Sequence, residues 1–492
     1  MALASAAATL DINYINGEWV SGSSSAVTDI VNPANQETIA QIALSEEADT
    51  ARAIEAAAAA FPEWRMTPAQ NRIQYMFKFR ELLLEHADEI AKLTTQENGK
   101  TFAESRAELQ RGIENVEVSC GMPTLMQGYN LEDVARGIDE MMIRQPLGVT
   151  AAITPFNFPS MIPLWFLPYA LTTGNTFILK PSERVPLTAK FLFELLEQTG
   201  LPKGVANLVV GAKPAVDTLL HHPKVRAISF VGSTPIAKYV YGEGSLHGKR
   251  VQCQGGAKNY VVVMPDADME MSAKIVSDSA FGCAGQRCLA VSVAVTVADS
   301  TKKFNEALLD VVSGIKTGDG LQDTTTMGPV ITKESKERIL GLVDKGVSGG
   351  GKLLLDGRKF EGKGNFIAPT IISGIDFSNP LMGTEIFGPV LTVNESLTLD
   401  DAITALSQSA YGNSSAIFTS SGAAARKFRY ESPTGNVGVN IGVAAPMAYF
   451  PFSGWRDSFM GVMHGQGKDA VEFYTDKKVV IERWPKEWSR KF

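Results

Sequence analysis

Cysteine and histidine are both scarce, at four and five residues in a chain of 492. Four cysteines, Cys120, Cys253, Cys283 and Cys288, cannot staple so long a chain, and such sparing use belongs to a reducing compartment. The histidines His86, His221, His222, His247 and His464 show no ligand spacing with the cysteines, so no metal site is expected. No lysine or arginine precedes Arg52. The alanine-rich start therefore lacks the basic residues of a secretory signal or a mitochondrial presequence, and a cytoplasmic protein is expected. Between Arg144 and Lys180 there is no charge at all. Pro146, Pro155, Pro159, Pro163 and Pro168 nevertheless fall too often there for a membrane-spanning helix. That stretch reads as buried strand, loop and buried helix in a soluble chain with no membrane partner. Excess positive charge is missing too: a net charge of −7 and a pI near 5.5 give no electrostatic case for nucleic acid. No internal repeat or long low-complexity linker is visible, and no strand is followed by G-x-G-x-x-G, the usual dinucleotide fingerprint.

What is present is a globular composition, 45% hydrophobic and 20% charged, long enough for two or three domain-sized units with cores of their own. Ser45-Glu46-Glu47-Ala48 predicts a helix capped by the serine and closed by Pro62. Thr67-Pro68 predicts another, with Ile73, Met76, Phe77, Leu83, Leu84 and Ile90 at helical spacing and Asn98-Gly99 at its end. A third is expected from Lys100 through Val118. From about Val149 short apolar runs alternate with helical stretches: Val149–Ile153, Thr176–Leu179, Ala206–Val210, Val225–Val231, Tyr260–Met264 and Ala290–Val297, with a helix near Met269–Phe281. That alternation is the signature of parallel βαβ units. Lys478–Trp484 reads as a lone strand.

The chemistry concentrates in two segments. Phe281-Gly-Cys-Ala-Gly-Gln-Arg-Cys-Leu-Ala290 places Cys288 after Arg287, in a turn with room around it. A neighbouring cation favours thiolate, the nucleophilic form. Gln254-Gly255-Gly256-Ala257-Lys258-Asn259 forms a second glycine-bearing turn, 34 positions upstream of Cys288. Together they resemble the paired signatures of the NAD(P)-dependent aldehyde dehydrogenase superfamily, and the resemblance runs from Tyr14-Ile15-Asn16-Gly17 to Tyr474-Thr475-Asp476. It implies an α/β fold of two Rossmann-like parallel-sheet domains with a small β oligomerisation element. The NAD-binding domain would take residues 1–121 and 147–254, the catalytic domain 255–455, and the oligomerisation element 122–146 and 456–492, in a homodimer or homotetramer.

The resemblance also implies site roles. Cys288 is the nucleophile, and Cys283, without a comparable match, is packing. Asn157, in Thr154-Pro-Phe-Asn-Phe-Pro159, is the oxyanion donor together with the Cys288 backbone N–H. Gly232 and Ser233, after the run Ile228–Val231, form an atypical cofactor turn, with Ala237 where many members have a second glycine. Lys180 and Glu183 look like the adenosine-ribose clamp, whose acid favours NAD over NADP. Glu385 resembles the ligand of the nicotinamide ribose, and Phe156 and Phe387 belong to the same cofactor set. Arg111 and Arg287 are candidates for holding a substrate carboxylate, Arg111 being equally readable as a helix-surface ion pair.

Hydrolytic members carry a glutamate where Gln254 stands. An amide cannot take a proton from water. With Gln286-Arg287-Cys288 and Pro451-Phe-Ser-Gly-Trp-Arg456, this resembles the CoA-acylating methylmalonate-semialdehyde dehydrogenase branch. The implied reaction turns a carboxylate-bearing aldehyde, methylmalonate or malonate semialdehyde, into an acyl-CoA, with NAD and coenzyme A and loss of CO2. Three other readings stay open: a hydrolytic aldehyde dehydrogenase using another carboxylate, a cofactor-free cysteine hydrolase with a histidine near Cys288, and a non-catalytic protein on this scaffold.

Overall fold

The computed structural model describes residues 9–360 and 362–484. Residues 1–8, expected at the start of the NAD-binding domain, and 485–492, expected in the oligomerisation element, lie outside them.

Two open sheets organise the chain. The first has eight strands in the order Glu18–Val20, Asn13–Ile15, Ala206–Leu208, Thr176–Lys180, Val149–Ile153, Val225–Val231, Arg250–Gln254 and Phe459–Met460. Its five central members run parallel, and the N-terminal hairpin and the short last strand add antiparallel edges. The second has seven strands, Lys352–Leu355, Thr370–Ser373, Val390–Ser396, Val291–Val297, Asn259–Val263, Ser414–Phe418 and Asn436–Val439, all parallel except the first. The central strands read as near-continuous apolar runs because helices cover both faces of a parallel sheet. Val149–Ile153, Thr176–Lys180 and Asn259–Val263 are buried at every position. The charge-free stretch supplies the strand Val149–Ile153, a loop, the buried helix Met161–Thr172 and, as far as Leu179, the strand Thr176–Lys180. Among the described residues no helix is long and apolar enough to cross a membrane.

Four local expectations need correction. The first helix spans Glu47–Met66 with Pro62 inside it. Its last turn is retained because Trp64 is buried and donates its indole N–H to the Leu171 carbonyl at 3.2 Å. Ser45 does not cap that helix; its hydroxyl donates to Asn13 Oδ1, while the Glu46 N–H donates to Asp49 Oδ2. The next predicted helix is two, Ala69–Glu85 and Ala87–Asn98, broken at His86. The break keeps Leu83 and Ile90 both buried while Phe77 and Leu84 face solvent. The terminal strand is not alone: Thr475–Arg483 pairs antiparallel with Ile138–Pro146, which pairs with Tyr129–Ala135. This third sheet exposes Tyr129, Leu131, Val479 and Ile481.

Candidate active site

The strand Val149–Ile153 ends in the loop that carries Asn157, and the loop is held from below by a buried ion pair. The Lys100 ammonium donates to Glu108 Oε2 at 2.5 Å and to the Asn157 carbonyl at 2.5 Å. Glu108 Oε1 accepts the backbone N–H groups of Ser160 and Met161 and the Ser160 hydroxyl, at the start of the helix Met161–Thr172. A carboxylate there is favoured by the helix dipole and by free N–H groups. Above this platform the Asn157 amide donates to the Gln286 carbonyl at 3.1 Å.

The cysteine segment approaches the same point from the other sheet. After the helix Met269–Phe281 the chain makes a tight turn, with Cys283, Ala284 and Gly285 at φ of +52°, +52° and +70°. Left-handed backbone costs a non-glycine residue about 1–3 kcal/mol. It is held by the Cys283 N–H donating to Glu104 Oε1 at 2.6 Å, and by close packing in which a Cβ on Gly285 would collide with the Gly388 carbonyl. The Cys288 carbonyl accepts from the side chains of Asn259 and Asn413, each at 2.8 Å.

Cys288 lies where two cavities meet. One, of about 520 Å³, is bounded by Phe156, Asn157, Gly232, Ser233, Glu385 and Phe387; the other, of about 260 Å³, includes Glu104, Glu108, Arg111, Arg287, Phe452 and Gln466. Burial pushes the Cys288 thiol up to about 12, with Glu385 adding to the rise and Arg287 opposing it. Arg287 thus favours the thiolate, as the sequence leads one to expect, but desolvation is the larger effect. The Arg287 guanidinium turns toward Cys283 Sγ, at 3.5 Å. Cys283, expected to be packing only, is buried and also borders the second cavity.

In the first cavity, Gly232 and Ser233 precede the helix Thr234–Leu246, whose start has no side-chain cap. Its free N–H groups can receive an anion. Ala237 is buried in the core instead of facing the cavity. Phe156 and Phe387 meet edge to face at 5.9 Å. Glu385 Oε1 accepts the Ala257 N–H at 2.8 Å, and Gly256 leaves it room, since a Cβ there would stand 2.5 Å from Oε2. Burial raises the Glu385 carboxyl to about 7 against the pull of the Ala257 N–H, Arg338 and Lys258. Lys180 and Glu183 are not among the residues bounding this cavity; they pair with each other at 3.1 Å. Burial raises the Glu183 carboxyl, but Lys180 and the backbone outweigh it and leave it below the usual range.

The sequence profile of the Aldehyde dehydrogenase family matches residues 19–480. The chain belongs to that family. It is 47% identical over 475 residues to malonate-semialdehyde dehydrogenase 1 of Geobacillus thermodenitrificans, covering 96% of this chain and 98% of the relative. Its fold is similar to the crystal structure of methylmalonate-semialdehyde dehydrogenase from Oceanimonas doudoroffii, with a TM-score of 0.96, 43% identity, and 98% and 100% of the two chains covered. A putative methylmalonate-semialdehyde dehydrogenase from Sinorhizobium meliloti 1021, complexed with NAD, gives 0.95 at 42% identity, covering 96% and 97%.

In this aldehyde dehydrogenase, sequence reasoning missed several cavity residues. Glu104, Glu108 and Asn115 border the second cavity from the helix Phe102–Ser119, beside the expected Arg111. Their spacing, a polar stripe at helical period, is the available signal. Arg111 borders this cavity, and it also makes the ion pair of the alternative expectation, with Glu114 at 2.6 Å, and donates to the Pro446 carbonyl at 2.5 Å. Gln466 also borders that cavity; it is 3% exposed, with φ of +74° and Oε1 without a partner. No local pattern marks it.

Proposed function

We propose that this aldehyde dehydrogenase catalyses the NAD-dependent, CoA-acylating oxidation of malonate or methylmalonate semialdehyde, with loss of CO2, through a thioester on Cys288. The observation that carries the reading is Cys288 at the junction of a cofactor-sized cavity and a smaller one containing Arg111 and Arg287, with an amide at position 254.

The first cavity suits NAD: an uncapped helix start at Gly232–Ser233 for the phosphates, Glu385 for a ribose, and the Phe156–Phe387 pair for the ring. When bound, NAD accepts the hydride released from the substrate carbonyl carbon. Lys180 and Glu183 remain the proposed adenosine-side pair. In the second cavity Arg287 and Arg111 hold the substrate carboxylate. The Cys288 thiol releases its proton to solvent and its sulfur, as thiolate, adds to the aldehyde carbon; the Asn157 amide and the Cys288 N–H stabilise the resulting oxyanion. After hydride loss, the acyl group is a thioester whose β-carboxylate leaves as CO2, because the electron pair it leaves behind is stabilised as an enolate. Protonation and attack by the CoA thiol then give acetyl-CoA or propionyl-CoA. The sum is semialdehyde, NAD⁺ and CoA in, and acyl-CoA, CO2 and NADH out.

The domain ranges 1–121 with 147–254, 255–455, and 122–146 with 456–492 follow from the same reading. So do assembly into a dimer or tetramer through the exposed third sheet, an edge that needs covering, and a cytoplasmic location. No histidine is among the described residues bounding either cavity, which disfavours a cofactor-free cysteine hydrolase. A hydrolytic aldehyde dehydrogenase has one observation in its favour: Glu385 borders the first cavity with a carboxyl near 7 and one oxygen uncommitted. Product analysis with NAD and malonate semialdehyde, with and without CoA, separates the two. The proposal expects acetyl-CoA with CoA present, and a burst of NADH followed by slow turnover without it. Equal steady rates, with a free acid in both cases, would establish hydrolysis instead.

A further inference from the structure

The fold brings together three side chains that the histidine spacing did not connect. The helix Lys213–His221 ends beside the end of the helix Thr234–Leu246, on the outer layer of the eight-stranded sheet. His221 is the last residue of the first helix, Glu243 lies in the last turn of the second, and His247 caps it. His221 Nε2 is 3.3 Å from Glu243 Oε2, and the His221 and His247 rings lie 4.6 Å apart. One donor atom from each of the three falls within 4.8 Å of the others.

We infer that His221, Glu243 and His247 form a binding site for a divalent cation of the zinc class, completed by water. Four features support this. Zinc held tetrahedrally at about 2.0–2.1 Å places neighbouring ligand atoms about 3.3–3.4 Å apart, the separation already present between His221 and Glu243. His247 Nδ1 is 2.9 Å from the Glu243 carbonyl, to which it donates, and this leaves the Nε2 lone pair free. A metal-binding imidazole is ordinarily oriented by such a bond from its other nitrogen. Both helices end here, so their unsatisfied carbonyls favour positive charge. Finally, the His221 and Glu243 side chains are 46% and 34% exposed, so an ion can reach them from solvent.

Two imidazoles among three ligands select zinc, nickel, cobalt or copper over magnesium and calcium, which prefer oxygen. A cation here would tie two helix ends together and stabilise the folded chain by mass action. The second helix opens at the cofactor turn, so the ion would sit about 20 Å from it, the length of 13 helical residues. Its role is structural, and turnover does not depend on it.

The test is a calorimetric titration with Zn²⁺ in a Cys288→Ala background, which removes the thiol that competes for the ion. One Zn²⁺ per chain is expected, with a rise in Tm. His221→Ala, His247→Ala and Glu243→Gln should each weaken binding at least about tenfold, since loss of even an outer-shell partner costs 10–100-fold. A measurement that needs no substitution at the site accompanies it. Zn²⁺ should protect His221 and His247, but not His86, from diethylpyrocarbonate, read by mass spectrometry of the intact enzyme's peptides. Unchanged affinity in both histidine variants, no saturable binding, or equal labelling of all three histidines with and without Zn²⁺ would overturn the site.

Discussion

The Gln254 side chain donates its amide N–H to the carbonyl of Phe452 at 3.1 Å, and its own oxygen is buried without a partner. The amide is thus committed to structure at the position where hydrolytic relatives are expected to hold a base. Gln254→Glu removes that bond and sets a buried carboxyl against a carbonyl, which favours the protonated acid. The variant should release free acid without CoA, and increasingly so as pH rises from 6 to 8 and the carboxyl ionises. Acid formation by wild type and variant is compared over that range. A folded variant with no gain at any pH would show that position 254 does not reach the thioester.

Cys288→Ala should abolish oxidation while NAD still binds, and Cys283→Ala should not match that loss. Alkylation of the wild-type enzyme carries the finer prediction. With the thiol pushed up to about 12, the reactive thiolate fraction should grow about tenfold per pH unit between 7 and 9. The rate of iodoacetamide addition at the Cys288 peptide measures this. A plateau below pH 9 would mean that Arg287 overrides burial after all.

Asn157→Ala should lower kcat by about 10²–10³-fold, the usual loss for one oxyanion donor. The Asn157 amide spends its bond on the Gln286 carbonyl here, so serving an oxyanion requires a modest reorientation. Aldehyde and NAD affinities should change much less. A variant with near-normal kcat and weakened NAD binding would place Asn157 in cofactor binding alone.

Elements fixed by local sequence were legible. The buried parallel strands announced themselves as apolar runs, and Gly99 ends its helix in the left-handed conformation, at φ +96°, as expected of Asn98-Gly99. Features set by distant partners were not. Pro62 lies within a helix because Trp64 finds Leu171, and the helix breaks at His86 where two buried stretches must both face the core. At the site, Cys288, Asn157, Glu385 and Phe387 do converge on one cavity. The Lys100–Glu108 pair beneath Asn157 could not be read, since it joins a loop to a helix that sequence alone does not bring together. Nor could the pairing of Lys180 with Glu183.

If Arg111 and Arg287 hold the substrate carboxylate, replacing either with alanine should cost about 10–100-fold in kcat/KM for malonate semialdehyde, the range of a charge-assisted bond. Propanal, which has no acid group, should lose far less. Arg111 is already paired with Glu114, so its alanine variant also leaves that acid without this partner. Equal losses on both aldehydes would confine the arginines to folding or to the cysteine.

If Glu385 holds a cofactor ribose, it supplies a pH dependence to cofactor binding. Burial raises its carboxyl to about 7, although the Ala257 N–H, Arg338 and Lys258 pull it down. Hydroxyl groups of a ribose donate to a carboxylate more strongly than to a neutral acid. Only the ionised form therefore binds NAD well, and that form is lost as pH falls through about 7. NAD affinity, measured in Cys288→Ala at constant ionic strength, should be flat above pH 8. Below pH 7 it should weaken toward about tenfold per unit, the limit when one proton must be removed before binding. Glu385→Gln should bind more weakly at pH 8 and show no such slope. Wild-type affinity that stays constant from pH 6 to 8 would take the Glu385 carboxylate out of contact with the cofactor, and would return it to contention as the base of a hydrolytic reaction.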